Sequence, residues 1–387
     1  MFSQIKEITI MNLLNLPSRL GSSSVIVVGI AGVVAVLVGL LSMAVGFQSA
    51  LEGAGSADRA ILMRDGTTSE MNGSLSPSDR ATLKAMDEIA LGSGESYVVV
   101  AIEKVGTDIA SNVVVRGVEE EAFAIRNELQ IVDGRRFESG KAEVIVGVKA
   151  ASQFKNLQIG DNLVVRDQSW TVVGHFTSRG SATEGEIWAD ANNVMAAFRR
   201  NGFANTMRVQ LTSPEAAQSL GERLQNDPRF DLMVKPEKEF YADQSEGRAS
   251  LINSFGTFVG VVMAIGAVFA ALNTMYSAVS TRTVEIATLR ALGFGNLPVV
   301  ISVMIESLTL ALIGGLVGGG LVWLAFDGYT ASTLNNASFS QVAFDFAVTP
   351  QLLQMGLTWA LALGFVGGLF PAIRAARMPI TTALRGE

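Results

Sequence analysis

Residues 280–296 read "STRTVEIATLRALGFGN". A long apolar run ends just before this stretch, and another begins just after it. The fold must therefore hold a short, charged, helix-forming segment in a tight gap between two hydrophobic ones. Arg282 and Glu285 stand three apart and can pair across one helical turn, with Ser280 or Thr281 as the cap. Ile286, Leu289 and Leu292 form an apolar strip, Glu285 and Arg290 flank it, and Gly293 and Gly295 end it. Two uses fit such a helix. It can lie at a lipid interface, or its strip can enter a groove on a soluble partner.

Working outward, four apolar runs have roughly the 20 residues needed to cross a hydrocarbon layer. They predict spans over 22–46, 251–279, 297–325 and 351–373 of an α-helical four-span bundle. The first is too long for the apolar core of a signal peptide and reads as a retained anchor. Orientation follows from short-loop charges. Lys6 and Arg19 precede the first span, Arg282 and Arg290 lie in the 280–296 gap, and Arg374, Arg377 and Arg385 lie in the 374–387 tail. The remaining short loop, 326–350, has no Lys or Arg. By the positive-inside rule the termini and the gap are cytoplasmic, and 47–250 and 326–350 lie outside. Segment 1–21 carries Phe2, Ile5, Thr9, Leu13 and Leu16 on one helical stripe and reads as an elbow helix on the inner surface.

The spans hold few charges, with Glu306 alone deep inside one. An acid at that depth is either a functional group or a structural hydrogen-bonding partner of a neighbouring helix. Gly314 and Gly318, and Gly315 and Gly319, stand four apart, and Gly364, Gly367 and Gly368 recur in the last span. This spacing lets helix backbones approach closely, either within one bundle or along a seam between two chains.

The 387 residues are 49% hydrophobic with a mean hydropathy of +0.37, but these averages hide apolar ends around a polar middle. Residues 47–250 hold 30 acidic against 22 basic side chains, a balance of −8, which argues against a nucleic-acid surface. The region predicts an α/β domain inserted between the first two spans. Strands are expected over 96–102, 112–118, 143–148, 162–167, 169–176 and 207–212, and helices over 75–89 and 213–227. "RDQSW" (166–170) reads as a hairpin turn, and "GSGES" (92–96) as a loop.

Little catalytic chemistry is visible. There is no Cys, which excludes disulfides and thiol catalysis. His175 is the single His and reads as structural, having no second imidazole for a metal site. The triplet Glu119–Glu121 reads as a solvated surface. No G-x-x-x-x-G-K-[ST] occurs, so no phosphate-binding P-loop is expected, and no catalytic, cofactor or metal residues are assigned.

Three stretches carry a resemblance. "TRTVEIATLRALGFG" is similar to the R-E-I-G-x-L-R-A-x-G signature of FtsX-like permease domains, with Ala287 in place of a frequent Gly and Val284 in place of a basic residue. "VMIESLTLALIGGLVGGGLV" resembles that family's third span, and "FPAIRAARMPITTALRGE" its C-terminal signature. The middle, from "LQIVDGRRFES" to "TVVGHF", resembles the periplasmic core domain of MacB-like members. The resemblance implies an ABC transporter permease without catalytic activity of its own, with ATP and Mg on a cytoplasmic ATPase bound as two copies. With the first span about twenty residues into the chain, that ATPase is expected to be a separate chain. The resemblance further implies a second permease chain, identical or related, and a bacterial inner-membrane location. It implies export or extraction of a substrate on the periplasmic side by mechanotransmission, with a periplasmic adaptor and outer-membrane channel as further partners if the system is an efflux pump. An FtsX-like regulator of an extracytoplasmic enzyme is the alternative. The same resemblance makes 280–296 a coupling helix and assigns Arg282, Glu285, Ile286, Leu289, Arg290, Ala291, Leu292 and Gly293 to contact with the ATPase.

Overall fold

The computed structural model describes residues 2–14, 20–335 and 340–379. In chain order the elements begin with α1 (Phe2–Leu14), α2 (Leu20–Glu52), β1 (Arg59–Arg64), α3 (Pro77–Lys84), β2 (Ile89–Glu103), β3 (Ala110–Val118), α4 (Ala122–Ile125), β4 (Gln130–Gly134) and β5 (Glu143–Gly147). They continue with α5 (Val148–Gln153), β6 (Asn162–Val165), β7 (Gln168–Thr177), β8 (Ile187–Asp190), α6 (Ala191–Ala197), β9 (Thr206–Leu211), α7 (Ala216–Gln225) and β10 (Leu232–Pro236). The last are α8 (Glu237–Thr281), α9 (Thr283–Ala291), α10 (Asn296–Phe326), β11 (Thr330–Asn335), β12 (Ser340–Asp345) and α11 (Pro350–Arg377). Two compact units result. A helical unit comprises 1–44, 250–329 and 347–387, and an α/β unit comprises 45–249 and 330–346.

In the helical unit α2, α8, α10 and α11 are each long and apolar enough to cross a membrane. The 33 residues of α2 and the 45 of α8 exceed the roughly 20 that a bilayer needs. Thr349 caps α11 by accepting the Leu352 N–H at 3.4 Å, and Pro350 occupies the first helical turn, where a missing N–H costs nothing. The glycines explain the close packing. A Cβ on Gly314 would stand 2.9 Å from the Val27 carbonyl oxygen, and one on Gly318 would stand 2.4 Å from that of Ala31, so this pair faces α2. Gly315 and Gly319 face α11 instead, where Ala360 and Leu353 approach. Gly364 and Gly368 on α11 receive Ala311 and Ser307 of α10, and Gly367 receives Ala271 of α8. All seven therefore serve packing within the bundle.

This makes a sharp comparison possible. Gly318→Ala must push α10 off the α2 backbone and is expected to cost about 1–3 kcal/mol, the usual penalty of overpacking. Nothing lies within 4 Å of a Cβ on Gly320, two residues along. Gly320→Ala is expected to be neutral or to stabilise by up to about 1 kcal/mol, by helix propensity. Thermal unfolding of the detergent-purified chain, followed by its size-exclusion peak, should separate the two variants.

The α/β unit is built on a ten-stranded sheet in the order β10-β1-β9-β2-β3-β8-β5-β7-β4, with β6 paired to β7. Parallel pairs join β3 to β8 and β5 to β7. The strand β2 holds the sheet together. Its residues 89–95 pair with β9 and its residues 96–103 with β3. One core lies under Trp170 and the valines of β3 and β5, a second around Phe123, Phe176 and Trp188, and a third under α3 and α7 against β1 and β9. The expected hairpin is present, with Val165 opposite Gln168.

Several expectations need correction. "GSGES" is not a loop but the middle of β2. Side chains of α3 and of the neighbouring strand β9 crowd that face at its glycines. A Cβ on Gly94 would meet the Arg80 side chain, and one on Gly92 the Met207 methyl. The first expected helix is shorter, Pro77–Lys84, closed by a Ser76–Asp79 capping box. The second, Ala216–Gln225, has Glu215 at its cap position and no side-chain cap. The loop at 326–350 contains the antiparallel hairpin β11–β12, which belongs to the α/β unit. There Asp345 pairs with Lys149 at 3.0 Å, and Ser332 accepts from Lys104 at 3.0 Å. Among the described side chains of α1, Ile8 and Asn12 are buried and Ile5 and Thr9 of the expected stripe are only half-buried, while Phe2, Leu13 and Leu16 of that stripe lie outside the described side chains.

Candidate coupling site

The stretch 280–296 folds as α9 between the ends of α8 and α10. Neither Ser280 nor Thr281 caps it. Thr281 ends α8, and Arg282 occupies the cap position with no side-chain cap bond. The Arg282 carbonyl accepts the Ile286 N–H at 2.9 Å, so the first turn closes without a hydroxyl. At the far end Gly293 has φ +96°, its N–H reaches the Arg290 carbonyl at 3.1 Å, and the Phe294 N–H reaches the Leu289 carbonyl at 3.1 Å. This is a Schellman cap, which a residue with a Cβ adopts only with strain. Gly295 then opens α10.

The helix has two faces, and they divide the expected site residues. Arg282, Ile286 and Ala287 are buried within the helical unit. Leu289 and Arg290 are half-buried, and Arg290 donates to the Met378 carbonyl just after α11. Glu285, Thr288, Ala291, Leu292 and Gly293 are exposed, together with Val284. Val284, Thr288 and Leu292 stand four apart on one outward stripe, with Val284 53% and Leu292 73% exposed. The apolar strip read from the sequence is thus split. Ile286 serves packing, Leu292 faces out, and Val284 joins it.

Arg282 does not point outward. Its Nη1 and Nη2 donate to the two carboxylate oxygens of Glu306, each at 2.8 Å, and both residues are about 5% exposed. Glu306 thus sits in a buried bidentate ion pair with the single residue between α8 and α9.

A second constellation lies in the α/β unit and was not foreseen. Glu95 on β2 accepts from Arg126 at 2.7 and 2.9 Å and from Arg116 Nη1 at 2.8 Å, with Arg208 Nε at 3.5 Å. Strand register explains the gathering. Ser93 lies opposite Arg208 and Tyr97 opposite Arg116, so Glu95, between them on the same face, meets both arginines diagonally. Glu186 holds Arg116 from the β8 side at 2.7 and 2.8 Å, and Glu70 bonds both Arg116 and Arg208. Glu237, the first residue of α8, takes Arg208 and Arg59. Burial pushes the Glu95 carboxyl up, but Arg126, Arg208 and Arg116 outweigh it and hold the group well below the usual carboxylate range. Glu70 is lowered the same way, against its burial, by Arg116 and Arg208. Each charge is balanced by opposite charges, so the network reads as a structural joint.

The remaining singled-out groups are tied up too. His175 bonds the Leu157 carbonyl through Nε2 at 2.9 Å. Glu119 pairs with Arg80 and Lys84, and Glu121 with Lys84. No group of three His, Cys, Asp or Glu suited to a metal ion occurs among the described residues.

Comparison with known proteins matches residues 23–227 to the MacB-like periplasmic core domain and residues 257–380 to the FtsX-like permease C-terminal domain. The chain belongs to the FtsX/MacB-like family of ABC transporter permeases. It is a multi-pass membrane protein whose α/β unit is of the periplasmic type. It is 26% identical over 277 residues to the uncharacterized ABC transporter permease YknZ of Bacillus subtilis, covering 67% of each chain. It is also 26% identical over 387 residues to the macrolide export ATP-binding/permease protein MacB of Nitrobacter winogradskyi, covering 93% of this chain and 57% of that one. The chain therefore spans little more than half of that MacB. Among solved structures it is similar to the periplasmic region of MacB from Actinobacillus actinomycetemcomitans, at TM-score 0.37 and 15% identity, over 48% of this chain and 91% of that one.

Proposed function

We propose that this chain is the permease subunit of a mechanotransmission-type ABC transporter, and that the outward stripe of α9 docks on a separate cytoplasmic ATPase. The observation that carries the reading is the division of α9 into an anchored face and an exposed one. Arg282, Ile286, Ala287 and Arg290 hold the helix to its own bundle, while Val284 and Leu292 present apolar surface with Glu285 beside it. Family membership supports ATP-driven work. ATP hydrolysis, with its Mg, is assigned to a separate chain because YknZ is named as a permease alone, whereas MacB is named for ATP binding as well. In this reading two ATPase copies serve two permease chains in the bacterial inner membrane. Their closing and opening moves the spans and, through them, the α/β units, where substrate is exported or extracted.

Co-expression of the chain with the ABC ATPases of its source genome, followed by purification in lipid nanodiscs, tests this. One ATPase should co-purify and change its turnover on assembly. Val284→Asp and Leu292→Asp place an unpaired charge in the docking face and are expected to cut recovery of the ATPase by about tenfold or more, equivalent to about 1.4 kcal/mol or above. Thr288→Ser, on the same stripe but nearly isosteric, should bind as wild type. Full ATPase recovery with both Asp variants would leave α9 an interfacial turn and sink the docking assignment.

A further inference from the structure

Three neighbouring positions on α10 bond to three different elements of the helical unit. Ser302 accepts from Asn12 Nδ2 of α1 at 2.5 Å, Glu306 holds Arg282 at the α8–α9 junction, and the Ser307 hydroxyl donates to the Gly364 carbonyl of α11 at 2.7 Å. Arg290 adds a tie from α9 to the Met378 carbonyl. Of these bonds only Arg282–Glu306 joins full charges. Both carboxylate oxygens are engaged by one planar guanidinium, a geometry that fixes orientation as well as distance. Two charges buried this deeply cannot part without leaving each unpaired in a low-dielectric setting, whereas an exposed pair would give way easily.

We propose that Arg282 and Glu306 are the positioning pair of this permease. They pin the first turn of α9 to α10, so that a displacement imposed on α9 is delivered to α10, and with it to α1 and α11, and is not absorbed at Arg282, the single residue between α8 and α9. The proposal rests on the ATPase-docking reading above. It gives Arg282, which the signature resemblance hands to the partner, a role inside the bundle. It gives Glu306 a mechanical task, with both carboxylate oxygens engaged by Arg282.

The absence of Cys lets a single reporter be introduced cleanly. Leu324 lies near the far end of α10 and is 77% exposed. In the Leu324→Cys chain, purified in nanodiscs with its ATPase, the rate of maleimide labelling is compared without nucleotide and with ATP plus vanadate. The parent should show a nucleotide-dependent rate. Arg282→Gln and Glu306→Gln should shrink that difference by about tenfold or more, while the ATPase still co-purifies and still turns over ATP. The charge swap, Arg282→Glu with Glu306→Arg, should restore most of the response. A merely structural pair would lower the amount of folded complex but leave the response per complex intact. That result overturns the proposal, as does a swap that folds and recruits ATPase yet stays silent, or a parent with no response at Leu324. A parent chain that recruits no ATPase removes the docking reading itself, before either residue is changed.

Discussion

Glu95→Ala is expected to cost the α/β unit about 3–5 kcal/mol, the scale on which removing one member of a buried ion pair acts. The reason is what remains. Arg116, Arg126 and Arg208 are each at most 3% exposed, and Glu95 is the acid shared by all three. Glu70 and Glu186 would still serve Arg116, and Glu70 and Glu237 would serve Arg208, but no other salt bridge joins Arg126 among those described. Glu95→Gln keeps the shape and two weaker contacts, so its cost should be intermediate. Hydrogen exchange on the full-length chain in nanodiscs reads this directly, in peptides covering 89–118 and 206–211. Unchanged protection there in Glu95→Ala would mean that the network contributes nothing net.

The same network fixes a pH dependence. Glu95 and Glu70 both titrate below the ordinary value of 4.5 in the folded chain. A depressed carboxylate contributes stability that is complete above its unfolded pKa and is lost as pH falls through the folded one. The α/β unit should therefore hold constant protection from neutrality down to about pH 5, then weaken progressively below about pH 4.5. Glu95→Gln should show a shallower acid decline from a lower plateau. A decline already under way near neutrality would show that these two carboxylates do not set the acid limit.

Much of this architecture could be read in advance because membrane segments announce themselves. Four apolar runs of bilayer length, with Glu306 their one deep charge, leave few alternatives, and Gly293 marked the end of α9 by a backbone conformation that glycine adopts easily. The glycine pairs were equally legible, since a missing Cβ matters only where another backbone arrives. What escaped was the division of labour among charges. Arg282 and Glu306 are 24 positions apart, and periodicity within a helix cannot show a partner across a turn. Arg116 in "NVVVRGV" did carry a signal, since a charge sharing a strand face with Val114 and Val118 is unfavourable unless an opposite charge is buried beside it. Arg208 in "TMRVQL" carried none, because it alternates with Met207, Val209 and Leu211 and shares its face with Thr206 and Gln210, which reads as outward. The glycines of "GSGES" hid that opposite charge, because Gly and Ser suggest a loop wherever the side chains that crowd them are unknown. The outward turn of Val284 was likewise invisible, since a helix shows which residues share a face but not which face its own bundle claims.

Glu237→Ala is the second change expected to act strongly, and it should act on a different property from the coupling variants. Glu237 is fully buried at the first position of α8, where a negative charge also meets the positive end of the helix dipole. Its carboxylate takes Arg59 Nε at 2.6 Å, Arg208 Nη1, and the backbone N–H of Ser56 at 3.0 Å. Loss of all three leaves two buried guanidinium groups short of a counter-charge and one N–H without an acceptor, so about 3–5 kcal/mol is expected locally. The first turns of α8 should then open, and Phe240 and Tyr241, now packed edge to face at 5.4 Å, should lose their seat. Exchange of amides 238–245 should accelerate by at least about two orders of magnitude, which corresponds to about 2.7 kcal/mol. None of these contacts involves α9, so ATPase recovery and ATP turnover should stay near wild type, the reverse of the pattern expected for Leu292→Asp. Should Glu237→Ala release the ATPase as Leu292→Asp does, the joint at the start of α8 and the docking face on α9 could not be the separate devices that their geometry describes.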